Sequence, residues 1–170
     1  MHNLITFSMI LIAAVTCSAQ ESSIVVGEYS NNGTIELIVS QGAVYAACQK
    51  VKNTSTGERV QMVNMDAHIT AGQTPYLVCE INGVIFAFEC YQEGRNILIK
   101  PDGTTHLGES DLCYNCAFLW DETGAIVGCG CEDKLYEGPK RTCNHSIFTP
   151  QRDIISAIGS YDQQRPRMDD

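Results

Sequence analysis

Positive charge is scarce in this chain, and so are long apolar runs. There are 11 Lys and Arg against 20 Asp and Glu, a formal net charge of −9. A nucleic-acid partner needs a clustered basic face, so the reading is no nucleic acid. Past the first residues, no stretch approaches the roughly 20 apolar residues of a spanning helix, so no membrane span is expected. Tryptophan occurs once and proline five times. Equally absent are a phosphate loop, a dinucleotide fingerprint, a His-Glu-x-x-His pair and a Gly-x-Ser-x-Gly elbow. The acidic residues form no run longer than a pair, as in Asp121-Glu122, Glu132-Asp133 and Asp169-Asp170. No oxygen-rich calcium loop can be built from such a pattern. The expectation is therefore no cofactor, no metal site, no catalytic residue and no enzyme.

What the chain does have is a leader followed by cysteines. Residues 1–19 carry an apolar stretch from Leu4 to Val15 and no acidic residue. Cys17 and Ala19 fit a small-residue cleavage site, which makes 1–19 a candidate signal peptide and Gln20 the new N-terminus. The chain has nine cysteines. Cys17 leaves with the leader, so eight remain: Cys48, Cys79, Cys90, Cys113, Cys116, Cys129, Cys131 and Cys143. An even set in a secreted chain reads as a disulfide framework. Three sequons support an extracellular glycoprotein: Asn32-Gly33-Thr34, Asn53-Thr54-Ser55 and Asn144-His145-Ser146. Asn32 and Asn53 lie in turn-like sequence and rank above Asn144.

The hydrophobic pattern predicts strands. Short β-branched and aromatic runs recur at 25–29, 35–39, 44–50, 59–64, 76–81, 84–90, 96–100, 117–120 and 125–129, separated by Gly, Asn, Asp and Thr. No helical stripe is expected between Gln20 and Thr149. A short helix is expected over 152–158, with Ile154, Ile155 and Ile158 on one face. Asn82-Gly83 predicts a two-residue type I′ hairpin, setting Ile81 opposite Val84, Cys79 opposite Phe86 and Leu77 opposite Phe88. Its other face, with Val78, Glu80, Ile85, Ala87 and Glu89, is expected to be the wetter one. Asn31-Asn32-Gly33 predicts a three-residue loop with Gly33 left-handed and Glu28 opposite Glu36. Pro101-Asp102-Gly103 and Asp121-Glu122-Thr123-Gly124 are further turn signals. The fold class is all-β: disulfide-stapled antiparallel sheets built from hairpins, with a cysteine-rich C-terminal region. By segment this gives a β-rich body over 20–100 and a cysteine-rich β region over 101–150 stapled to it. A polar tail follows over 151–170.

Eight cysteines allow about a hundred pairings. Geometry removes two. In the Asn82-Gly83 register Cys90 falls opposite Pro75, roughly 13 Å from the point facing Cys79 and beyond disulfide reach. Cys129 and Cys131, one residue apart, do not bond each other. Residues 20–100 hold three cysteines and 101–150 hold five. If all pair within the chain, at least one bridge joins the two parts. Cys113-Tyr114-Asn115-Cys116 has the redox CxxC spacing, but sits among strands and turns and reads as structural. The CxxC followed by CxC over Cys113–Cys143 loosely resembles secreted modules of the von Willebrand factor C kind. The adjacent Cys-Cys that closes that pattern is missing, and the resemblance brings no function.

His68, His106 and His145 are isolated in sequence. Asp66-Ala67-His68 offers an acid–histidine pair without a nucleophile motif beside it. Tyr114, Phe118 and Trp120 form an aromatic group, a core feature by default and otherwise a candidate binding patch. The functional expectation is a secreted, non-enzymatic extracellular protein, first a structural or matrix component, including the organic matrix of a shell or skeleton. Its partners would be extracellular protein or matrix, with weak Ca²⁺ or a mineral surface as a further candidate. The alternatives are a soluble binding protein (inhibitor, effector or ligand) and a secreted hydrolase with an unrecognised site.

Overall fold

The computed structural model describes residues 23–57, 65–110, 115–131 and 143–163. It is mostly strand, in antiparallel sheets. Ten strands appear: β1 (Val25–Tyr29), β2 (Ile35–Leu37), β3 (Met65–Ile69), β4 (Tyr76–Ile81), β5 (Val84–Glu93), β6 (Asn96–Ile99), β7 (Thr105–Glu109), β8 (Cys116–Trp120), β9 (Ile126–Cys131) and β10 (Asn144–Phe148). Two helices join them, α1 (Gln41–Thr56) and α2 (Arg152–Gln163). The expected strand over 59–64 lies outside the described residues.

Eight strands form one sheet around the long strand β5. The first part of β5 pairs with β4 on one side and β7 on the other, and its second part pairs with β6. The order β10-β7-β5-β6-β1-β2 runs across the sheet, and β3 attaches to β4. At the far end β2 approaches β3, with Ile69 beside Gly27, so the sheet curls into a near-barrel. A Cβ at Gly27 would press on the end of the Ile69 side chain and on the Glu36 carbonyl, so the close approach favours glycine at that closure. β8 and β9 form a separate two-stranded sheet.

Both hairpin registers read from the sequence are present. Ile81 pairs with Val84, Cys79 with Phe86 and Leu77 with Phe88. Asn82 and Gly83 have φ of 53° and 80°, as a type I′ turn requires. The Cys90 amide meets the Pro75 carbonyl at 2.9 Å. Gly33 is left-handed at φ 82°, and Glu28 faces Glu36. The β1–β2 ladder stops at Leu37, because Val39 turns away to bond the Val26 carbonyl.

Residues 44–50 are a correction: they belong to α1 and not to a strand. Ala43, Val44, Ala47, Cys48 and Val51 are all buried. Their spacing is one helical face, narrow because its members are small. The caps agree: Ser40 Oγ accepts from the Ala43 amide at 3.2 Å, and Gly57 closes the helix at φ 73°. The central cluster joins this face to Leu77, Ile81, Phe86, Phe88, Ile97 and Leu107 from the sheet. Ile154, Ile155 and Ile158 of α2 join it, as expected. The helix runs on to Gln163, so the polar tail is structured further than 158. Strands β3, β7 and β10 fall outside the runs that the hydrophobic pattern predicts.

The second face of the β4–β5 hairpin is the wetter one, with Val78, Glu80 and Glu89 half-buried, yet it is not open: Ile85 and Ala87 on it are buried, with Tyr76, Cys116, Phe118 and Ile126. The β8–β9 hairpin covers that face.

One buried polar side chain ties the layers together. Gln151 is fully buried. Its Nε2 donates to the Glu89 carbonyl at 2.8 Å and the Lys100 carbonyl at 3.1 Å. Its Oε1 accepts from Thr105 Oγ1 at 3.1 Å. Gln151→Leu leaves two carbonyls and a hydroxyl without these partners. We expect a loss of about 3 kcal/mol, at about 1 kcal/mol per lost bond, read as a lower urea midpoint.

Candidate functional site

The β8–β9 hairpin lies against the outer face of the main sheet, and aromatic side chains meet in the seam. Tyr76 of β4 stands edge-on to Trp120 at 5.5 Å and to His106 at 5.9 Å between ring centroids. Phe118 stands edge-on to His106, His145 and Trp120. His106 and His145 stack at 5.2 Å, with Nδ1 of His106 3.0 Å from Nε2 of His145. The β7–β10 pairing produces this contact: His106 faces Ile147, and His145 faces Gly108 two residues along, on the same face. Histidines isolated in sequence are therefore neighbours in space. The signal was out of reach because β7 and β10 are 39 residues apart at this point.

The disulfide Cys129–Cys143 ties β9 to the residue before β10. Cys131 is disulfide-bonded as well. Cys48, Cys79 and Cys90 are buried thiols. Cys113 and Tyr114 lie outside the described residues.

The turn at the hairpin tip is held by Asp121. Its Oδ1 accepts from the Thr123 amide at 2.9 Å, Thr123 Oγ1 at 2.7 Å and the Ala125 amide at 2.9 Å. These donors, the Thr123 hydroxyl first, hold its carboxyl below the usual range. Beside the turn the outer side of the hairpin is apolar and open. Leu119 is 52% exposed and Val127 62%, while Trp120, on the inner side with Phe118, is 40% exposed at the rim of the seam. Of the predicted patch, Phe118 is buried as packing and Trp120 reaches solvent.

Below Trp120 runs a groove of about 250 Å³ between β8 and the β3–β4–β5 face. Phe118 and Trp120 form one wall, and Asp66, His68 and Glu80 the other. Asp66 and His68 alternate outward on β3 while Met65, Ala67 and Ile69 turn to the core. His68 is thus exposed on a strand. No group of three metal-ligating side chains suited to an ion occurs among the described residues. A larger cavity of about 590 Å³ lies between α1, α2 and β10. On its wall Lys50 lies 3.6 Å from Asp153. No described helix is long and apolar enough to cross a membrane.

Of the three sequon asparagines, all are exposed. Asn32 sits at the β1–β2 tip, where its Oδ1 accepts from the Thr34 amide at 3.1 Å. Asn53 lies in α1 rather than a turn, its Oδ1 accepting from Gln49 Nε2 at 3.0 Å. Asn144 opens β10.

No protein-family model, no curated protein and no solved structure matches this chain. The site is left to speak through its geometry.

Burial lowers the His106 pKa to about 4, with His145 beside it adding to the shift. Burial lowers His145 as well. Both rings are neutral at pH 7. Protonation favours the unfolded chain, whose histidines titrate near 6.5. The stability contributed by neutral burial is present above that value and lost as pH falls toward about 4. We expect the unfolding free energy, read from urea titrations, to fall over this window by on the order of 2 kcal/mol from His106. His106→Phe should flatten the curve.

Proposed function

We propose that this chain is a secreted, disulfide-stapled, non-enzymatic protein that binds an extracellular protein through the β8–β9 hairpin. The observation that carries the reading is the exposure of three large apolar side chains, Leu119, Trp120 and Val127, on one hairpin of an otherwise acidic protein. Large apolar side chains grouped on a surface mark contact sites more often than scattered single ones do. Trp is also the residue type most often central to protein interfaces. Its indole is backed by Tyr76 and Phe118, so little side-chain entropy remains to be lost on binding. Secretion is supported by the Cys129–Cys143 disulfide, a bond that persists in oxidising compartments. N-glycans at Asn32, Asn53 and Asn144 are part of the proposal, and their exposure supports it.

A second reading, the structural or matrix component, draws on the net charge of −9. Weak attraction for Ca²⁺ or a mineral surface belongs to that reading. The hydrolase alternative would use Asp66 and His68, which share the groove wall. Both stand exposed on β3, where nothing shields a proton transfer from bulk water.

Trp120 is the chain's single tryptophan, which makes it a reporter of its own environment. Folded protein is titrated with soluble and with insoluble extracellular fractions, and fluorescence quenching by acrylamide is followed. Shielding of Trp120 by a soluble protein fraction, lost in Leu119→Ser/Val127→Ser, is the expected result. Those substitutions lie on exposed positions and should change stability by no more than about 0.5 kcal/mol. Retention in the insoluble or mineral fraction with Trp120 still open to quencher would replace binding by the matrix reading.

A further inference from the structure

Two buried cysteines from different layers meet in the central core. Cys48 is on the inward face of α1, between Val44 and Val51. Cys79 is on the inward face of β4, opposite Phe86. Both are fully buried and belong to one hydrophobic cluster. Cys79 is the neighbouring group that acts on the Cys48 thiol within that cluster, so the two side chains lie beside each other. The other described cysteines are engaged elsewhere. Cys90 is directed to the Phe88 carbonyl at 3.3 Å, Cys116 is in the cluster on the opposite face of the sheet, and Cys129 is bonded to Cys143.

We propose that Cys48 and Cys79 are a modification site, and that in the oxidised protein they form a disulfide stapling α1 to β4. The inference needs an oxidising compartment but not the hairpin-binding reading. The co-reactant is a disulfide, either small or carried by an oxidoreductase. One cysteine thiolate attacks that disulfide, forming a mixed disulfide and releasing one thiol. The second cysteine then displaces the other thiol. Two protein thiols and one external disulfide become one protein disulfide and two external thiols, so electrons and protons balance.

Burial dictates the timing. No oxidant reaches either sulfur once α1 is seated, and burial, with Cys79 beside it, pushes the Cys48 thiol well up. The attacking species is the thiolate. The bond therefore forms before α1 closes over β4, and is then shielded from reductant.

The test uses the full chain made in an oxidising secretory compartment. The protein is denatured in the presence of an alkylating reagent, digested without reductant and mapped by mass spectrometry. The expected product is a Cys48 peptide joined to a Cys79 peptide, two hydrogens lighter than their sum and unalkylated. Alkylation of both, or linkage of either to another cysteine, overturns the proposal. The double variant Cys48→Ala/Cys79→Ala gives an independent reading. Reductant should lower its unfolding midpoint less than that of the unsubstituted chain; an equal drop in both overturns the staple.

Discussion

Gln151 is the point where the two halves of the architecture are fastened. Its amide spans from β5 to the Lys100 carbonyl and Thr105, and its own backbone starts α2. The Gln151 amide donates to the Pro101 carbonyl, and its carbonyl accepts from Ile154 and Ile155 at 3.0 and 3.1 Å. The glycine at 103 follows from this crowding. A Cβ there would be 2.5 Å from Gln151 Nε2 and 2.9 Å from the Lys100 carbonyl. Buried amides of this kind are costly unless every donor and acceptor is met. Met as they are here, they fix a single relation among β5, the β6–β7 turn and α2.

That relation lets the sheet work on both faces. Its inner face receives α1 and α2, whose small and branched residues fill the curl of the near-barrel. A charged pair reinforces the edge of this layer, where Lys52 of α1 reaches Glu109 of β7. Lys100 meets Glu89 at 2.7 Å on the outer face. The outer face receives the β8–β9 hairpin and the stacked histidines. β5 separates the two clusters by simple alternation: Phe86 and Phe88 inward, Ile85 and Ala87 outward.

The sequence carried its turns more clearly than its longer-range contacts. Asn82-Gly83, Asn31-Asn32-Gly33 and Asp121–Gly124 were legible because each needs a residue type at a fixed φ or a side-chain oxygen at a fixed offset. α1 was mistaken for a strand because Val44 and Tyr45 have strand propensity. Yet the period of Ala43, Val44, Ala47, Cys48 and Val51, bracketed by Ser40 and Gly57, is helical. β3, β7 and β10 are short and polar on one side, so their pattern was too brief to register. The candidate site suffered most. Trp120 and Phe118 were named from the sequence, but Tyr76, His106 and His145 reach them only through β4, β7 and β10. Those pairings are long-range, and no local signal encodes them.

An isolated two-stranded hairpin is marginal in water. β8–β9 depends on what it is anchored to: Phe118 and Ile126 buried beneath it, and the Cys129–Cys143 bond at one end. Asp121 fixes the turn at the other end with three accepted hydrogen bonds. The inner side, the turn and the disulfide anchor the hairpin; on the outer side Leu119 lies over Gly128 and Gly130, and Val127 stands open to solvent. Solvent-facing positions on a structural hairpin are ordinarily polar, since apolar exposure adds association risk without stability. Apolar side chains open to solvent at such positions, on a hairpin whose inner side holds Trp120 between two rings, fit the proposed contact surface.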